Sequence, residues 1–190
     1  MNVYCVTRNR SISTATLHTL LNINIRCMMN SLDLNIHFMD SKEPVAKLIE
    51  KGQTSVLFLD YGTAIDEATL DCILKNRESF LVFPAPLEGV DWDLFRKKTL
   101  AGSKEPVSQR ALKFDVDVEG SDLSAFYVGG KKTSRLLREK KLSFPLKNTL
   151  EKLKAHGIPY IIYSKAVVTR IYPHECLGNI LDVSGVNLEA

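Results

Sequence analysis

The stretch that decides the fold is Val56-Leu-Phe-Leu-Asp-Tyr-Gly-Thr-Ala-Ile-Asp66, with a helical pattern from Glu67 to Leu74 behind it. Its four consecutive apolar residues predict a short strand buried on both faces, as in parallel sheets. Asp60 and Gly62 end that strand. Thr63 and Asp66 then stand at capping-box spacing, which predicts a helix beginning in this turn. A strand that ends on a carboxylate and leads into a helix is a common layout for ligand sites in α/β sheets.

Similar strand and helix patterns continue on both sides of this stretch. Strands are predicted near residues 2–6, 34–39, 56–60 and 79–83, and helical patterns separate them. This β-α-β-α-β-α-β order predicts an α/β fold with a mainly parallel sheet, right-handed crossovers and helices on both faces. A chain of 190 residues is most simply one domain.

The pattern changes after Pro84. Residues 114–119 alternate apolar and acidic side chains, which predicts a half-buried strand, and residues 123–128 predict another. A helix over 146–156 ends at Gly157, and an edge strand follows at 158–163. We therefore expect a small antiparallel part in the C-terminal half.

Composition limits the classes of protein that remain. A formal net charge of +3 is too small to indicate nucleic-acid binding by itself. Four widely spaced cysteines, without metal-ligand spacing, predict free thiols in a reducing compartment. The sequence has no apolar run long enough for a signal peptide or a membrane anchor, so we expect a cytoplasmic protein.

Polar residues follow three successive predicted strands: Thr7 and Arg8, then Asp40, then Asp60. The topology would bring them to one rim of the sheet. A carboxylate after the second strand could accept hydrogen bonds from a base or a ribose. One after the third could hold Mg²⁺ or Mn²⁺ against a pyrophosphate, because these ions favour oxygen ligands. The alternative is that each side chain only satisfies backbone donors in its turn.

Three further groups of residues have two interpretations each. Asp115, Asp117 and Glu119 would share one strand face, either as metal ligands and a general base or as an exposed polar surface. The basic run 131–141 meets phosphate or forms a solvated face. His174, between Pro173 and Glu175, is a metal ligand or an ordinary loop residue. P-loop, dinucleotide and zinc-protease motifs are absent from the sequence.

In their order, the motifs resemble the GT-A-type glycosyltransferase-like proteins of large DNA viruses and bacteriophages. The resemblance rests on Leu57–Leu70 as an apolar strand running into an Asp-x-Asp motif, then on Phe80–Pro84 and Val90–Asp93, and it covers roughly residues 1–128. It implies a nucleotide-diphospho-sugar transferase fold, with residues 1–84 as the nucleotide-binding half and 85–190 as the acceptor-side half. Two departures stand out: Gly62 replaces the second Asp, and Tyr127–Lys132 replaces a segment of small residues.

The resemblance also implies roles for individual residues. A nucleotide-sugar donor would be recognised by Thr7, Arg8 and Asp40, with a Mn²⁺ or Mg²⁺ ion held by Asp60 and His174. Asp117 would be the base for a hydroxyl of an unknown acceptor. The alternative is a catalytically inactive GT-A-like protein with a structural or interaction role, for example in a virus particle. Nucleic-acid binding through the basic run is a third reading, against which the acidic segment at 115–119 argues.

Overall fold

A computed structural model of the chain describes residues 1–41, 55–77, 79–90, 112–117, 122–140 and 148–170. These residues form ten strands: β1 (Asn2–Val6), β2 (Asn35–Met39), β3 (Val56–Leu59), β4 (Thr63–Ile65), β5 (Phe80–Val82), β6 (Pro86–Val90), β7 (Leu112–Phe114), β8 (Ala125–Val128), β9 (Ile161–Ile162) and β10 (Val168–Arg170). They also form four helices: α1 (Thr14–Met29), α2 (Glu67–Lys75), α3 (Lys131–Glu139) and α4 (Thr149–Ala155).

Six of the strands form the central sheet, in the order β2-β1-β3-β8-β5-β9. β1 pairs in parallel with β2 and with β3, and β5 pairs in parallel with β9. β8 lies between β3 and β5 and runs antiparallel to both. The prediction of a mixed α/β protein with a mainly parallel sheet is confirmed. The antiparallel strand lies inside that sheet, where the sequence pattern did not place it.

Two apolar clusters lie on the two faces of the sheet, because successive strand residues point to opposite sides. Leu57 and Leu59 of β3 pack in one cluster with residues of α1 and α2. Phe58, between them, packs in the other cluster with Leu137 of α3 and Leu153 of α4. The helices therefore cover both faces, and β3 is buried from both sides.

The sequence offers Ser11 and Ser13 as N-caps for helix α1, and Ser13 is the residue that caps it. The Ser13 hydroxyl accepts a hydrogen bond from the Thr16 N–H at 3.1 Å, so a side chain satisfies one of the first backbone donors. At the other end, the Asn30 N–H donates to carbonyl oxygens of the last turn. Gly157, predicted to close α4, has a φ of +65° and donates its N–H to the Lys154 carbonyl.

The start of α2 differs from the prediction. Thr63 does not cap this helix, because residues 63–65 form β4 and pair antiparallel with β10. Asp66 is the cap instead, and its carboxylate accepts the Thr69 N–H at 3.2 Å. Pairing with residues more than 100 positions away therefore outweighs the local capping pattern.

The strand predicted over residues 114–119 is wrong in the part that is described. β7 ends at Phe114, and the Asp117 N–H donates back to the Phe114 carbonyl at 3.0 Å, which makes a turn. Asp115 is buried and Asp117 is exposed, so the two carboxylates do not share one strand face. Asp115 is buried because its carboxylate accepts hydrogen bonds from backbone N–H groups, and not because it belongs to an alternating strand.

Several predictions fall on residues outside the described ranges. They include a short helix over 44–50, for which Pro44 suits the first turn, as well as Glu119 and the tail with His174 and Cys176. Among the described helices, none combines the length and the apolar character needed to cross a membrane.

Candidate functional site

The carboxyl ends of β1, β2 and β3 bring three of the predicted site residues to one edge of the sheet. Val6 of β1 is level with Met39 of β2, and Cys5 is level with Leu59 of β3. Thr7, Asp40 and Asp60 each follow directly. Because adjacent strands lie about 4.8 Å apart, the backbones of these three residues fall within roughly one nucleotide's width. We call this edge the rim.

Thr7 and Asp40 are joined by a hydrogen bond at the rim. The Thr7 hydroxyl lies 3.2 Å from Asp40 Oδ1 and 3.3 Å from the Met39 carbonyl oxygen, and its N–H donates to the same carbonyl at 2.8 Å. Thr7 is buried, whereas Asp40 is exposed. A buried hydroxyl therefore orients an exposed carboxylate, which can accept hydrogen bonds from a ligand.

Asp60 is buried in the tight turn that follows β3. Its Oδ1 accepts the Tyr61 N–H at 2.8 Å, and its own N–H donates to the Ser124 carbonyl at 2.8 Å. The Thr63 N–H closes the turn on the Asp60 carbonyl at 3.1 Å. Gly62 has a φ of +71°, a conformation that suits glycine and strains other residues. The glycine in the second Asp position adopts this conformation without steric cost.

Arg8 lies over the ring of Tyr61, with its guanidinium carbon 4.9 Å from the ring centroid. This geometry is a cation–π contact. Arg8 begins a turn that returns at Ser11, whose N–H donates to the Arg8 carbonyl at 2.8 Å. Asn9 and Arg10, between them, both have positive φ. The contact places a positive charge beside the Asp60 turn.

Arg170, the last residue of β10, also reaches the rim and was missed by the sequence analysis. Its Nη2 lies 3.7 Å from Asp60 Oδ2, and its Nη1 donates to the Ser124 hydroxyl at 3.3 Å. Opposite charges placed 110 residues apart leave no local signal in the sequence. Only the pairing of β10 with β4, which directly follows the Asp60 turn, brings them together.

Asp115 is a structural carboxylate beside this site. Its Oδ1 accepts the Ala85 N–H at 3.0 Å, and its Oδ2 accepts the Ser124 N–H at 2.8 Å. Burial raises the pKa of this carboxyl above its ordinary value, against the opposing effects of those N–H groups and of Arg170. Both oxygens hold backbone segments, so Asp115 does not serve as an open metal ligand.

Cys5 lies on β1 just below the rim. Burial, followed by the negative charge of Asp60, raises the pKa of its thiol to about 11. The thiolate is the nucleophilic form of cysteine, and at neutral pH Cys5 is therefore an inert thiol. This agrees with its expected role as a buried apolar side chain.

The described residues do not by themselves complete a site for a divalent cation. Mg²⁺ and Mn²⁺ need several oxygen ligands, yet no three His, Cys, Asp or Glu side chains converge within the described ranges. Asp60 faces the guanidinium of Arg170, and Asp115 is held by backbone N–H groups. His174 lies outside those ranges, so its role as a second ligand stays a prediction.

Comparisons with known proteins give matches in structure only. No protein-family model and no curated protein matches the sequence. The fold is similar to the crystal structure of a glycosyltransferase involved in the glycosylation of the major capsid of PBCV-1. That match has 9% identity and a TM-score of 0.41, over 94% of this chain and 98% of the other. It is also similar to A197 from STIV, with 12% identity and a TM-score of 0.42, over 90% and 86%. The function is therefore argued from the site itself.

Proposed function

We propose that this protein is a glycosyltransferase that binds a nucleotide-diphospho-sugar at the rim and transfers the sugar to an acceptor hydroxyl. One observation carries the proposal: Thr7–Asp40, Arg8–Tyr61 and the Asp60 turn lie together at the carboxyl ends of three adjacent parallel strands. Ligands of open α/β sheets bind in such crevices. The resemblance of the motif order to GT-A-type proteins supports the same donor class.

Different residues of the rim bind different parts of the donor. Asp40, oriented by Thr7, accepts hydrogen bonds from ribose or base donors of the nucleoside. Tyr61 offers an aromatic face that already carries the Arg8 guanidinium. Arg8 supplies positive charge beside Tyr61, and Arg170 supplies it beside Asp60. Guanidinium groups pair well with phosphate oxygens. The sugar would then project from the diphosphate toward the acceptor side.

The proposed chemistry is a substitution at the anomeric carbon. The acceptor oxygen forms a bond to that carbon, the bond to the diphosphate oxygen breaks, and the nucleoside diphosphate leaves with both electrons. The acceptor hydroxyl loses its proton to a base, for which exposed Asp117 is the candidate. Negative charge grows on the leaving diphosphate, and the two arginines would stabilise it.

A second candidate is a GT-A-like module that binds no donor and serves a structural or interaction role. The Asp60–Arg170 pair favours it, because the carboxylate that would hold a metal ion meets a cation of the same chain. Gly62, in place of a second carboxylate, favours it as well.

The test is ligand-induced stabilisation of the full chain by UDP- and GDP-sugars, each with Mn²⁺ and with EDTA. A ligand that binds only the native state raises the melting temperature, by an amount that grows with concentration. We expect stabilisation by one donor class. Stabilisation in EDTA would assign the diphosphate to the arginines, whereas stabilisation only with Mn²⁺ would support an ion held by Asp60 and His174.

A matched pair of variants locates the site. Asp40 follows β2 and Asp33 precedes it, so the two carboxylates lie at opposite ends of one strand. Asp40→Asn should weaken donor binding by roughly 10-fold or more, the size expected for a charged hydrogen bond. Asp33→Asn should leave binding unchanged. If no donor stabilises the wild type under either condition, the transferase proposal fails and the structural module stands.

A further inference from the structure

One flank of α1 exposes an unbroken row of large apolar side chains. Leu17, Leu21, Ile25 and Met28 follow one another three or four positions apart, and they and Met29 are between 42% and 80% exposed. Residues at this spacing share one side of a helix. An ordinary surface helix buries its apolar stripe and exposes polar residues, so a second apolar stripe needs an explanation. We call these five residues the α1 flank.

Within the α1 flank, Leu17, Leu21 and Met28 point away from α2. The core side of α1 is marked by buried Leu20, Ile23 and Cys27. Arg26 lies to one side of that line and forms ion pairs with Glu67 and Asp71 of α2, at 2.9 and 2.8 Å. At about 100° per residue, Leu17, Leu21 and Met28 fall on the other side of the core line.

That other side is the side of strand β2, at the end of the sheet. α1 leads into β2 along the chain, and Ile36 of β2 packs in the same apolar cluster as α1. Phe38, two residues further along the strand, therefore points to the same face, and it is 58% exposed. The α1 flank and Phe38 are therefore both exposed, and Phe38 lies on the face of the sheet that α1 covers, at the β2 edge.

The edge of β2 adds open backbone to this surface. Among the described strands, β2 pairs with β1 alone, so one side of its hydrogen-bonding ladder has no strand beside it. Its sequence, Asn-Ile-His-Phe-Met, contains no lysine, proline or acidic residue of the kind that protects an exposed edge.

The surface is suited to contact the same surface of a second copy of the chain, because it is uncharged and its strand edge is self-complementary. The α1 flank holds no charged residue, and Arg26, the only arginine, lysine or acid in the helix, is paired on the opposite side. No like charges would therefore face each other across a twofold axis. A β2 strand can also pair antiparallel with its own copy across such an axis, since that contact is self-complementary.

The size of the surface fits a dimer. Six side chains exposed to this extent present roughly 600 Å² before any backbone is added, and one partner of a standard interface contributes about 800 Å². Patches this large are at the upper end of what monomers expose. We propose that the protein forms a homodimer in which α1 packs on α1 and β2 pairs with β2, covering the α1 flank and Phe38.

The first experiment measures the mass of the full chain in solution by light scattering and sedimentation. We expect twice the chain mass of 21.3 kDa in the wild type. Leu21→Glu and Met28→Glu should each yield a 21.3 kDa monomer with an unchanged circular dichroism spectrum, because both side chains are already exposed in one copy. Ala155→Glu, at an exposed position of α4 on the other face of the sheet, is the matched control and should remain dimeric.

A second variant guards against a folding defect. Leu21→Cys should form a disulfide-linked dimer under mild oxidation, since equivalent residues near a twofold axis face each other. Ala155→Cys, on the other face of the sheet, should not. A wild type that is monomeric at all concentrations overturns the proposal. So does a dimer that survives both glutamate substitutions. A monomer whose α1 flank is protected from labelling overturns it too, because another part of the same chain would then be the cover.

Discussion

Asp60 and Asp115 are two buried aspartates that lie next to the same residue, Ser124, yet they are held in different ways. Asp115 accepts backbone N–H groups with both oxygens, and these come from Ala85 and Ser124, which belong to separate segments. Asp60 accepts one N–H from its own neighbour, Tyr61, and its other oxygen faces the Arg170 side chain. Among the described contacts, the first carboxylate joins two backbone segments, and the second accepts from its own turn and faces the Arg170 side chain. Residue type and burial alone do not separate a structural acid from a candidate ligand-binding one.

Removing the Asp115 carboxylate should have the largest effect on stability. Asp115→Ala leaves the Ala85 and Ser124 N–H groups without their acceptor in a buried place, and we expect a loss of about 3 kcal/mol. For a chain of this length that is a fall of roughly 6–12 °C in melting temperature. Asp117→Ala, on the exposed part of the same turn, should change stability by less than about 0.5 kcal/mol. Equal losses in the two variants would contradict the structural role of Asp115.

The turn that carries Asp60 depends on its glycine. Gly62→Ala forces a side chain into the left-handed conformation and should cost about 1–2 kcal/mol. Gly157→Ala is the control, because that glycine has a φ of +65° with no atom within 4 Å of an added Cβ. It therefore measures the backbone cost by itself. Denaturant unfolding gives both values, and a neutral Gly62→Ala would show that the Asp60 turn does not need this conformation.

Titration of Asp115 is a smaller change than substitution, since it alters only the protonation state of the carboxyl group. Burial raises the pKa of this carboxyl, so the native state keeps the proton at a pH where the unfolded state has lost it. The stability that Asp115 contributes in this way is fully present below the unfolded pKa, about 3.9, and is lost as pH rises through the native pKa. The free energy of unfolding of wild type minus that of Asp115→Asn should therefore fall as pH rises. A difference that rises with pH would show that the N–H groups and Arg170 dominate.

Asp60→Asn should have the smallest effect on stability, below about 1 kcal/mol. The asparagine oxygen can still accept the Tyr61 N–H, and the 3.7 Å approach of Arg170 is long for a hydrogen bond. The same variant should abolish any donor binding that depends on Mn²⁺ and should leave donor binding in EDTA in place, because there the arginines hold the diphosphate. A loss as large as that of Asp115→Ala would place Asp60 among the structural acids and remove the distinction between the two residues.

The sequence predicts those parts of the fold that local patterns specify. The strand Val56–Leu59 appears where expected, because burial on both faces requires consecutive apolar residues. Ser13 caps α1, because the first N–H groups of a helix need an acceptor from a nearby side chain. The placement of Thr7, Asp40 and Asp60 at one edge follows from the parallel order of their strands.

The remaining features depend on residues far apart in the chain. Thr63 has the spacing of a helix cap, but it joins a strand because β10 supplies a partner. Asp115 fits an alternating strand pattern, but two distant N–H groups turn it inward. Arg170 has no local pattern at all. Each of these outcomes is decided by contacts between distant residues, and local patterns in a single sequence do not reveal such contacts.

Strand β8 fills the middle of the sheet, although it is synthesised after both of its neighbours. Until residue 128 leaves the ribosome, β3 has β1 on one side and an open edge on the other, with four wholly apolar residues along it. At typical synthesis rates the intervening stretch of about 70 residues takes roughly 3–14 s. For these seconds the nascent chain therefore exposes the unpaired, wholly apolar edge of β3. Chaperone demand should be highest in that interval, and arrival of β8 is the step that closes the sheet.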